Sequence, residues 1–405
     1  MTSSTEGFEL APGFRATAVA CGLKPDGALD LALVSSDRPC TAAGMFTTNR
    51  VKAAPVVYDQ AVLAHRPDAI RAVIANAGCA NACTGARGLQ DARRAATLTA
   101  RVVGCEPDQV LVLSTGVIGR HLDMDKVARG IDSLASAAER DGSTGAAAAA
   151  RAILTTDTRP KTAGADLDVN GRRIAIRGFA KGAGMIHPGL ATMLAVLTTD
   201  AGLSPAALRS ALERAVARSF NRVSVDGDMS TNDTVLLLAS GTAGALEGEG
   251  SAAFEAALTG VCAALARQIA RDGEGATRLV EITVEGARDE AEAHTVADSI
   301  ARSSLVKTAI HGGDPNWGRV LAAAGYSGAA IDPDRLTLTF GAPADGVTLV
   351  REGLPAAHDE ARASAMLRRD PVLIRLGLGL GTGEATVWTC DFSAEYVTIN
   401  AHYTT

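Results

Sequence analysis

The chain has 405 residues, 47% of them hydrophobic and 21% charged, with only 3% aromatic. That is the make-up of a folded globular protein whose core is filled by Ala, Val, Leu and Ile, large enough for one big or two medium cores. A net charge of −6 and the lack of any Lys/Arg run argue against a phosphate-backbone partner, so no nucleic acid is expected.

Strand-like and helix-like segments alternate along the chain. Apolar runs predict short strands at 31–35, 72–75 and 109–113. From Asp123 onward, Val127, Ile131 and Leu134 recur at the spacing of one helix face. Asp166–Val169, Asn170-Gly171 and Arg172–Arg177 form a hairpin pattern with a type I′ turn. Ser204-Pro205 is an N-cap with proline at the first helical position, opening a helix to about Ser219. A second long helix is predicted over Ser251–Arg271, closed by Asp272-Gly273. A β-branched strand, Arg278–Glu285, precedes a polar helix from about Asp289 to Arg302. The tail from Val397 to Thr405 reads as a strand. No fixed-period repeat or Pro/Gly/Ser linker is visible, and the mixture indicates α/β (α+β) architecture with layered mixed sheets flanked by helices.

Other patterns narrow the chemistry. The start, Met-Thr-Ser-Ser-Thr-Glu-Gly, lacks the basic-then-apolar pattern of a secretory leader. No stretch approaches the roughly 18 apolar residues of a membrane helix, so no membrane partner is expected. Seven cysteines, an odd and dispersed set, fit reduced thiols and a cytoplasmic location. Cys79 and Cys83 lack a second ligand pair for zinc and are expected to be small buried packers. Gly377-x-Gly379-x-Gly381-x-Gly383 imitates a dinucleotide loop, but strand-like Glu384–Thr389 follows it and offers no helix N-terminus for a pyrophosphate. Asp226-x-Asp228-x-Ser230-x-Asn232 imitates a calcium loop but has Thr231 in place of glycine and Leu237 in place of the bidentate Glu. Its polar groups are expected to satisfy buried backbone or to wall a site. His187 and His311 stand alone and suggest supporting or surface roles.

The most informative stretch is Lys181-Gly-Ala-Gly-Met-Ile-His-Pro-Gly-Leu-Ala191-Thr192-Met-Leu. A glycine-flexed lysine loop leads to a small-residue/threonine junction, with an apolar run behind it. A self-cleaving threonine enzyme would be written this way. Attack by Thr192 Oγ on the Ala191 carbonyl would turn the amide into an ester, which water would split. Thr192 would then carry both a hydroxyl and a free α-amine, which titrates roughly two units below a lysine and can act as base at neutral pH. The same residues also read as a glycine-rich loop feeding a buried strand, and alone they leave both readings open.

This block resembles the autoprocessing site of the bifunctional ornithine acetyltransferase / N-acetylglutamate synthase family of arginine biosynthesis. Further matching blocks are Asn76–Gly85, Leu113–Gly119, Thr155–Lys161, Ser219–Asp233, Gly273–Arg278, Asp314–Arg319, Val387–Asp391 and Tyr396–Thr405. They occur in family order from about Pro12 to the last residue. Gly189-Leu190 stands where a bulkier or amide-bearing pair is expected, a departure that leaves the junction itself intact.

The resemblance implies the ornithine acetyltransferase / self-cleaving aminopeptidase-like fold. It also implies autocatalytic cleavage into an α chain, 1–191, and a β chain, 192–405, in a heterotetramer of two α and two β. The activity implied is a multifunctional acyltransferase: acetyl passes from N2-acetyl-L-ornithine to Thr192 and then to L-glutamate. No cofactor or metal is needed, with acetyl-CoA a possible co-substrate. Thr192 would be nucleophile, its α-amine the base, and Thr115 and Gly116 the oxyanion hole. Substrate contacts carry over to Thr158, Lys181, Thr192, Glu274, Asn400 and Thr405. By their own chemistry Lys181 suits an α-carboxylate and Glu274 an ammonium, though a glutamate between glycines also reads as a solvated loop residue. Three other readings stay open: a paralogous acyltransferase of specialised metabolism, an N-terminal-nucleophile aminopeptidase or amidohydrolase, and a non-enzymatic amino-acid-binding protein.

Overall fold

The structure is a computed structural model that describes residues 7–138, 145–187 and 193–402. Its first half comprises β1 (Phe14–Val19), β2 (Leu31–Phe46), α1 (Ala54–His65), β3 (Ile70–Cys79), α2 (Gly85–Val103), β4 (Val110–Val117), α3 (Met124–Ala138) and α4 (Gly145–Ala152). There follow β5 (Lys161–Val169), β6 (Arg172–Lys181), β7 (Leu194–Thr199), α5 (Pro205–Ala217), β8 (Thr234–Ala239) and α6 (Glu249–Arg271). These strands make one mixed sheet in the order β4-β3-β2-β8-β7-β6-β5, with β1 also paired to β2.

β2 joins the two halves of that sheet. Its start, Leu31–Ser36, pairs with β1 and β3, while Thr41–Phe46 pairs with β8. The polar break at Asp37-Arg38-Pro39 is exposed and coincides with a register shift between Ser35 and Cys40. A proline without an N–H is tolerated at such a bulge, so the strand runs on past the point where its apolar pattern stops.

β7 and β8 are buried throughout and alternate between two cores. Leu194, Val196, Leu236 and Leu238 face one core, which α2, α3 and α4 close with residues such as Ala95, Val127, Ile131, Leu134 and Ala149. Ala195, Leu197, Val235 and Leu237 face the other, closed by Leu208 and Leu212 of α5 and Phe254, Leu258 and Leu265 of α6. Near-continuous apolar strands are the mark of a sheet covered on both faces. Among the described helices, α6 alone has the length and apolarity of a membrane span, but this packing makes it a core helix. The hairpin forms as expected, with Asn170 and Gly171 at φ 55° and 76° and Val169 opposite Arg172. Ser204 caps α5 by accepting from the Ala207 N–H.

The second half comprises β9 (Leu279–Ala287), α7 (Glu290–Arg302), α8 (Ser304–Gly312), α9 (Trp317–Gly325), β10 (Thr337–Phe340), β11 (Val347–Arg351) and β12 (Leu354–Pro355). It ends with α10 (Glu360–Met366), β13 (Val372–Gly377), β14 (Gly383–Cys390) and α11 (Ala394–His402). Its sheet runs β12-β11-β10-β13-β9-β14, with helices α7 to α10 packed on it around Val280, Ile282, Val296, Ile300 and Ile374. The two halves meet where the Ser224 N–H donates to the Trp388 carbonyl at 3.0 Å and Trp388 and Cys390 enter the α5/α6 core.

Two expectations are corrected. The tail is a helix, α11, through His402 rather than a strand. Val397, Thr398 and Ile399 weigh toward strand, but Ser393 Oγ accepts from the Glu395 N–H at 3.2 Å and starts a turn. A helix then satisfies the backbone locally. Cys83, expected buried, is exposed at φ 57°, while Cys79 is buried.

Candidate active site

The site begins at the end of β4. β3 and β4 run parallel with Ala77 opposite Thr115 and Gly78 opposite Gly116. Gly116 has φ 128°, and a Cβ there would lie 2.4 Å from the Gly78 carbonyl carbon. Only glycine fits this close approach of backbones. Asn232, just before β8, locks the region by donating to the carbonyls of Ala80 at 2.6 Å and Ser114 at 2.8 Å.

The end of β6 brings Lys181 to the same place. It is buried, with Nζ 3.4 Å from Thr115 Oγ1 and 3.9 Å from Asp157 Oδ2. Burial lowers the pKa of Lys181, against the pull of the Asp157 charge. Asp157 is also buried, which pushes its pKa up, but Lys161 and Lys181 together hold it well below the usual carboxylate range. Lys161 Nζ lies 2.5 Å from both Asp157 Oδ1 and Asp272 Oδ2, so two carboxylates enclose a fully buried ammonium.

Glu274 sits in the turn after α6, its N–H donating to the Ala183 carbonyl at 2.9 Å. It is 8% exposed and therefore not a solvated loop carboxylate. Its glycine neighbours have physical reasons: a Cβ on Gly275 would lie 2.5 Å from Tyr396 N, and one on Gly273 2.9 Å from Cys390 Sγ. The carboxylate also covers Gly184, where a Cβ would come within 2.4 Å of Glu274 Cδ. From α11, Asn400 Nδ2 donates to Glu274 Oε2 at 2.8 Å. A cavity of ≈ 110 Å³ remains between Thr115, Gly116 and Lys181 on one side and Glu274, Asn400 and Tyr396 on the other.

The sequence model of the ArgJ family matches residues 15–405. The chain belongs to the ArgJ family. It is similar to the arginine biosynthesis bifunctional protein ArgJ of Parasynechococcus marenigrum, 48% identical over 393 residues, 97% of this chain and 94% of the relative. The protein of the same name from Symbiobacterium thermophilum is 48% identical over 405 residues, 98% of each chain. The crystal structure of ArgJ from Bacillus halodurans is 44% identical, covers 51% of this chain and 98% of its own, and superposes with a TM-score of 0.49.

In this ArgJ-family chain five of the expected site residues, Thr115, Gly116, Lys181, Glu274 and Asn400, line one cavity. Thr158 does not line it: its N–H donates to Asp272 Oδ2 at 3.0 Å and its hydroxyl to Asp272 Oδ1, while Thr155 and Thr156 face the cavity instead. Ala191, Thr192 and Thr405 lie outside the described residues. The chain is described again from Met193, whose N–H donates to Asp233 Oδ1 at 3.0 Å, and Leu194 pairs with Lys181 across β6 and β7.

The rejected calcium-like run, Asp226–Asn232, satisfies buried backbone and walls the cavity as expected. Asp226 accepts from the N–H groups of Met185 and Ile186, and burial raises its pKa to about 6 against those hydrogen bonds. Asp233 is fully buried and its pKa is pushed well above the carboxylate range. Asp157, Asp233 and Tyr396 were not singled out as site residues; the matching blocks that contain them were their only signal, whereas Asp226 belongs to the run expected to wall a site. His187 Nδ1 lies 3.5 Å from Ser224 Oγ, and His311 Nδ1 2.8 Å from Asp391 Oδ2; neither lines the cavity. Among the described residues no group of three or more His, Cys, Asp or Glu is placed to hold a metal.

Proposed function

We propose that this chain is an ornithine acetyltransferase that divides itself between Ala191 and Thr192 and then carries acetyl on Thr192. The observation that supports it best is the convergence of Thr115, Gly116, Lys181, Glu274 and Asn400 on one cavity, beside strands β6 and β7 that frame the junction.

In the scission step Thr192 Oγ bonds to the Ala191 carbonyl carbon and the C–N bond breaks, the nitrogen taking the hydroxyl proton. Water then hydrolyses the ester, leaving an Ala191 carboxylate and Thr192 with hydroxyl and α-amine. In transfer, that amine accepts the hydroxyl proton as Oγ attacks the acetyl carbonyl of N2-acetyl-L-ornithine. The Gly116 N–H and Thr115 hydroxyl are the donors for the oxyanion, each such donor contributing on the order of 3 kcal/mol. Ornithine leaves with its amine protonated. The amine of L-glutamate then attacks acetyl-Thr192, giving N-acetyl-L-glutamate and free Thr192. Amide is exchanged for amide through an ester, so no external energy source enters.

Lys181 serves the α-carboxylate common to both amino acids, and Glu274 the ammonium. The ≈ 110 Å³ cavity holds an acetylated amino-acid head, and exposed Asp228 at its wall leaves the distal end near solvent. That arrangement suits a pocket serving both a cationic and an anionic side chain. Acetyl-CoA as a second donor for glutamate, a cytoplasmic location and an assembly of two α and two β chains complete the reading. Because the segments on either side of the junction enter neighbouring strands of one sheet, 1–191 and 192–405 would stay interlocked after scission.

Thr192→Ala is expected to leave a single chain of 41.3 kDa and to abolish transfer from acetyl-ornithine to glutamate. A Thr192→Ala protein that splits, or that transfers acetyl, would overturn the reading. Acetate release without glutamate would favour the hydrolase alternative.

A further inference from the structure

Carboxylates add to the strand pairing that holds the backbone on both sides of the junction, where Leu194 pairs with Lys181 and Thr234. Upstream, Asp157 Oδ1 accepts from the Gly182 N–H at 2.6 Å. Asp226 accepts three and four residues further on, Oδ2 from Met185 at 2.6 Å and Oδ1 from Ile186 at 2.9 Å. The Val225 N–H donates back to the Ile186 carbonyl at 2.8 Å, so 185–186 and 225–226 clasp each other. Downstream, the fully buried Asp233 accepts from Met193 through Oδ1 at 3.0 Å, with the Thr47 and Ser230 hydroxyls against the carboxylate.

Met185 sits inside the upstream clasp with φ 57°. That left-handed conformation costs a residue with a Cβ about 1–2 kcal/mol and persists only where the surroundings impose it. Burial raises the pKa of both Asp226 and Asp233, so keeping these carboxylates ionised is itself unfavourable. A strained residue and two costly carboxylates, all on the flanks of one peptide junction, are not needed to end a strand.

We propose that Asp226 and Asp233 are positioning residues for chain scission, fixing the backbone at Met185–Ile186 before the junction and at Met193 after it. The inference rests on the self-dividing reading above. An acyl shift demands a near-attack geometry, and a misplacement of about 1 Å costs on the order of 10²-fold in rate. Neither carboxylate need touch the reacting atoms; each acts through the backbone it holds.

Asp59 provides an internal control. It is fully buried, its Oδ1 accepts from the Val112 N–H at 2.8 Å, and its Oδ2 has no partner. It thus matches Asp233 in burial and in its one backbone hydrogen bond, though Asp233 also has the Thr47 and Ser230 hydroxyls and the Lys181 charge near it, and it grips a strand away from the junction. Full-length wild type, Asp226→Ala, Asp226→Asn, Asp233→Ala, Asp233→Asn and Asp59→Ala would be pulse-labelled in cell-free translation. Scission is followed over time on denaturing gels, with folding checked by protease resistance. The expected result is scission slowed about 10²-fold in the two junction alanine variants and by less in the asparagine variants, which keep one acceptor oxygen. Asp59→Ala should divide at the wild-type rate. Should an alanine variant fail to fold, its asparagine counterpart carries the comparison. Folded Asp226 and Asp233 variants dividing as fast as a dividing wild type would overturn this inference alone. So would equal slowing in Asp59→Ala, because scission would then track stability. A wild type that never divides would sink the self-dividing reading beneath it.

Discussion

Gly116→Ala tests the oxyanion assignment most directly. The added methyl would stand 2.4 Å from the Gly78 carbonyl carbon and 2.6 Å from Cys79 N, both backbone atoms. No side chain can rotate away, so β3 and β4 must part by about 1 Å to reach ordinary contact. Overpacking of this kind costs about 1–3 kcal/mol of stability, and φ 128° adds backbone strain. On the proposed assignment the larger consequence is chemical, since the Gly116 N–H would be displaced from the developing oxyanion. Loss of one such donor raises the barrier by on the order of 3 kcal/mol, roughly 10²-fold in kcat. Gly119→Ala is the matched control: it also has positive φ, 79°, but its Cβ meets nothing within 4 Å. The assay is acetyl transfer from N2-acetyl-L-ornithine to L-glutamate, with scission scored separately by intact mass. A folded, divided Gly116→Ala enzyme with kcat within twofold of Gly119→Ala would refute the reasoning.

Three further outcomes are expected. Lys161→Met leaves Asp157 and Asp272 without the ammonium between them and should cost about 3–5 kcal/mol; a urea midpoint close to wild type would contradict that. Glu274→Gln removes the negative charge beside Asn400 and should raise the KM for acetyl-ornithine about tenfold or more without preventing scission; unchanged kinetics would remove Glu274 from ammonium binding. Asp226, with its pKa raised to about 6, binds its proton more tightly in the folded than in the unfolded chain. Its contribution to stability is therefore full below about pH 4 and falls as pH rises to about 6, by on the order of 3 kcal/mol. Urea titrations across that window should show Asp226→Asn losing this dependence, and a constant wild-type-minus-variant difference would count against it.

Much of the architecture was legible locally. Asn170-Gly171 dictates a hairpin because both positions take positive φ, and Ser204-Pro205 starts α5 through a side-chain cap. The strand expected after the Gly377–Gly383 run is present as β14. Matching blocks also carried Thr115, Gly116, Lys181, Glu274 and Asn400 to one cavity. What failed locally failed for a physical reason. β-branching at Val397–Ile399 could not show that a turn at Ser393 would start a helix. Thr158 carries no local sign that Asp272, on the far end of α6, would take both its N–H and its hydroxyl. Glu274 between glycines looks solvated until Gly184 and Asn400 are seen to enclose it.

Local order thus determined the hairpin, the caps and the buried strands, because each depends on neighbours within a few residues. Tertiary packing alone decided that β6 and β7 lie side by side and that Asp157, Asp226 and Asp233 take the backbone N–H groups of Gly182, Met185, Ile186 and Met193. It also decided which carboxylates are buried with a partner and which without. These depend on contacts between residues far apart in the chain, where desolvation and charge pairing are set by the fold and not by sequence spacing.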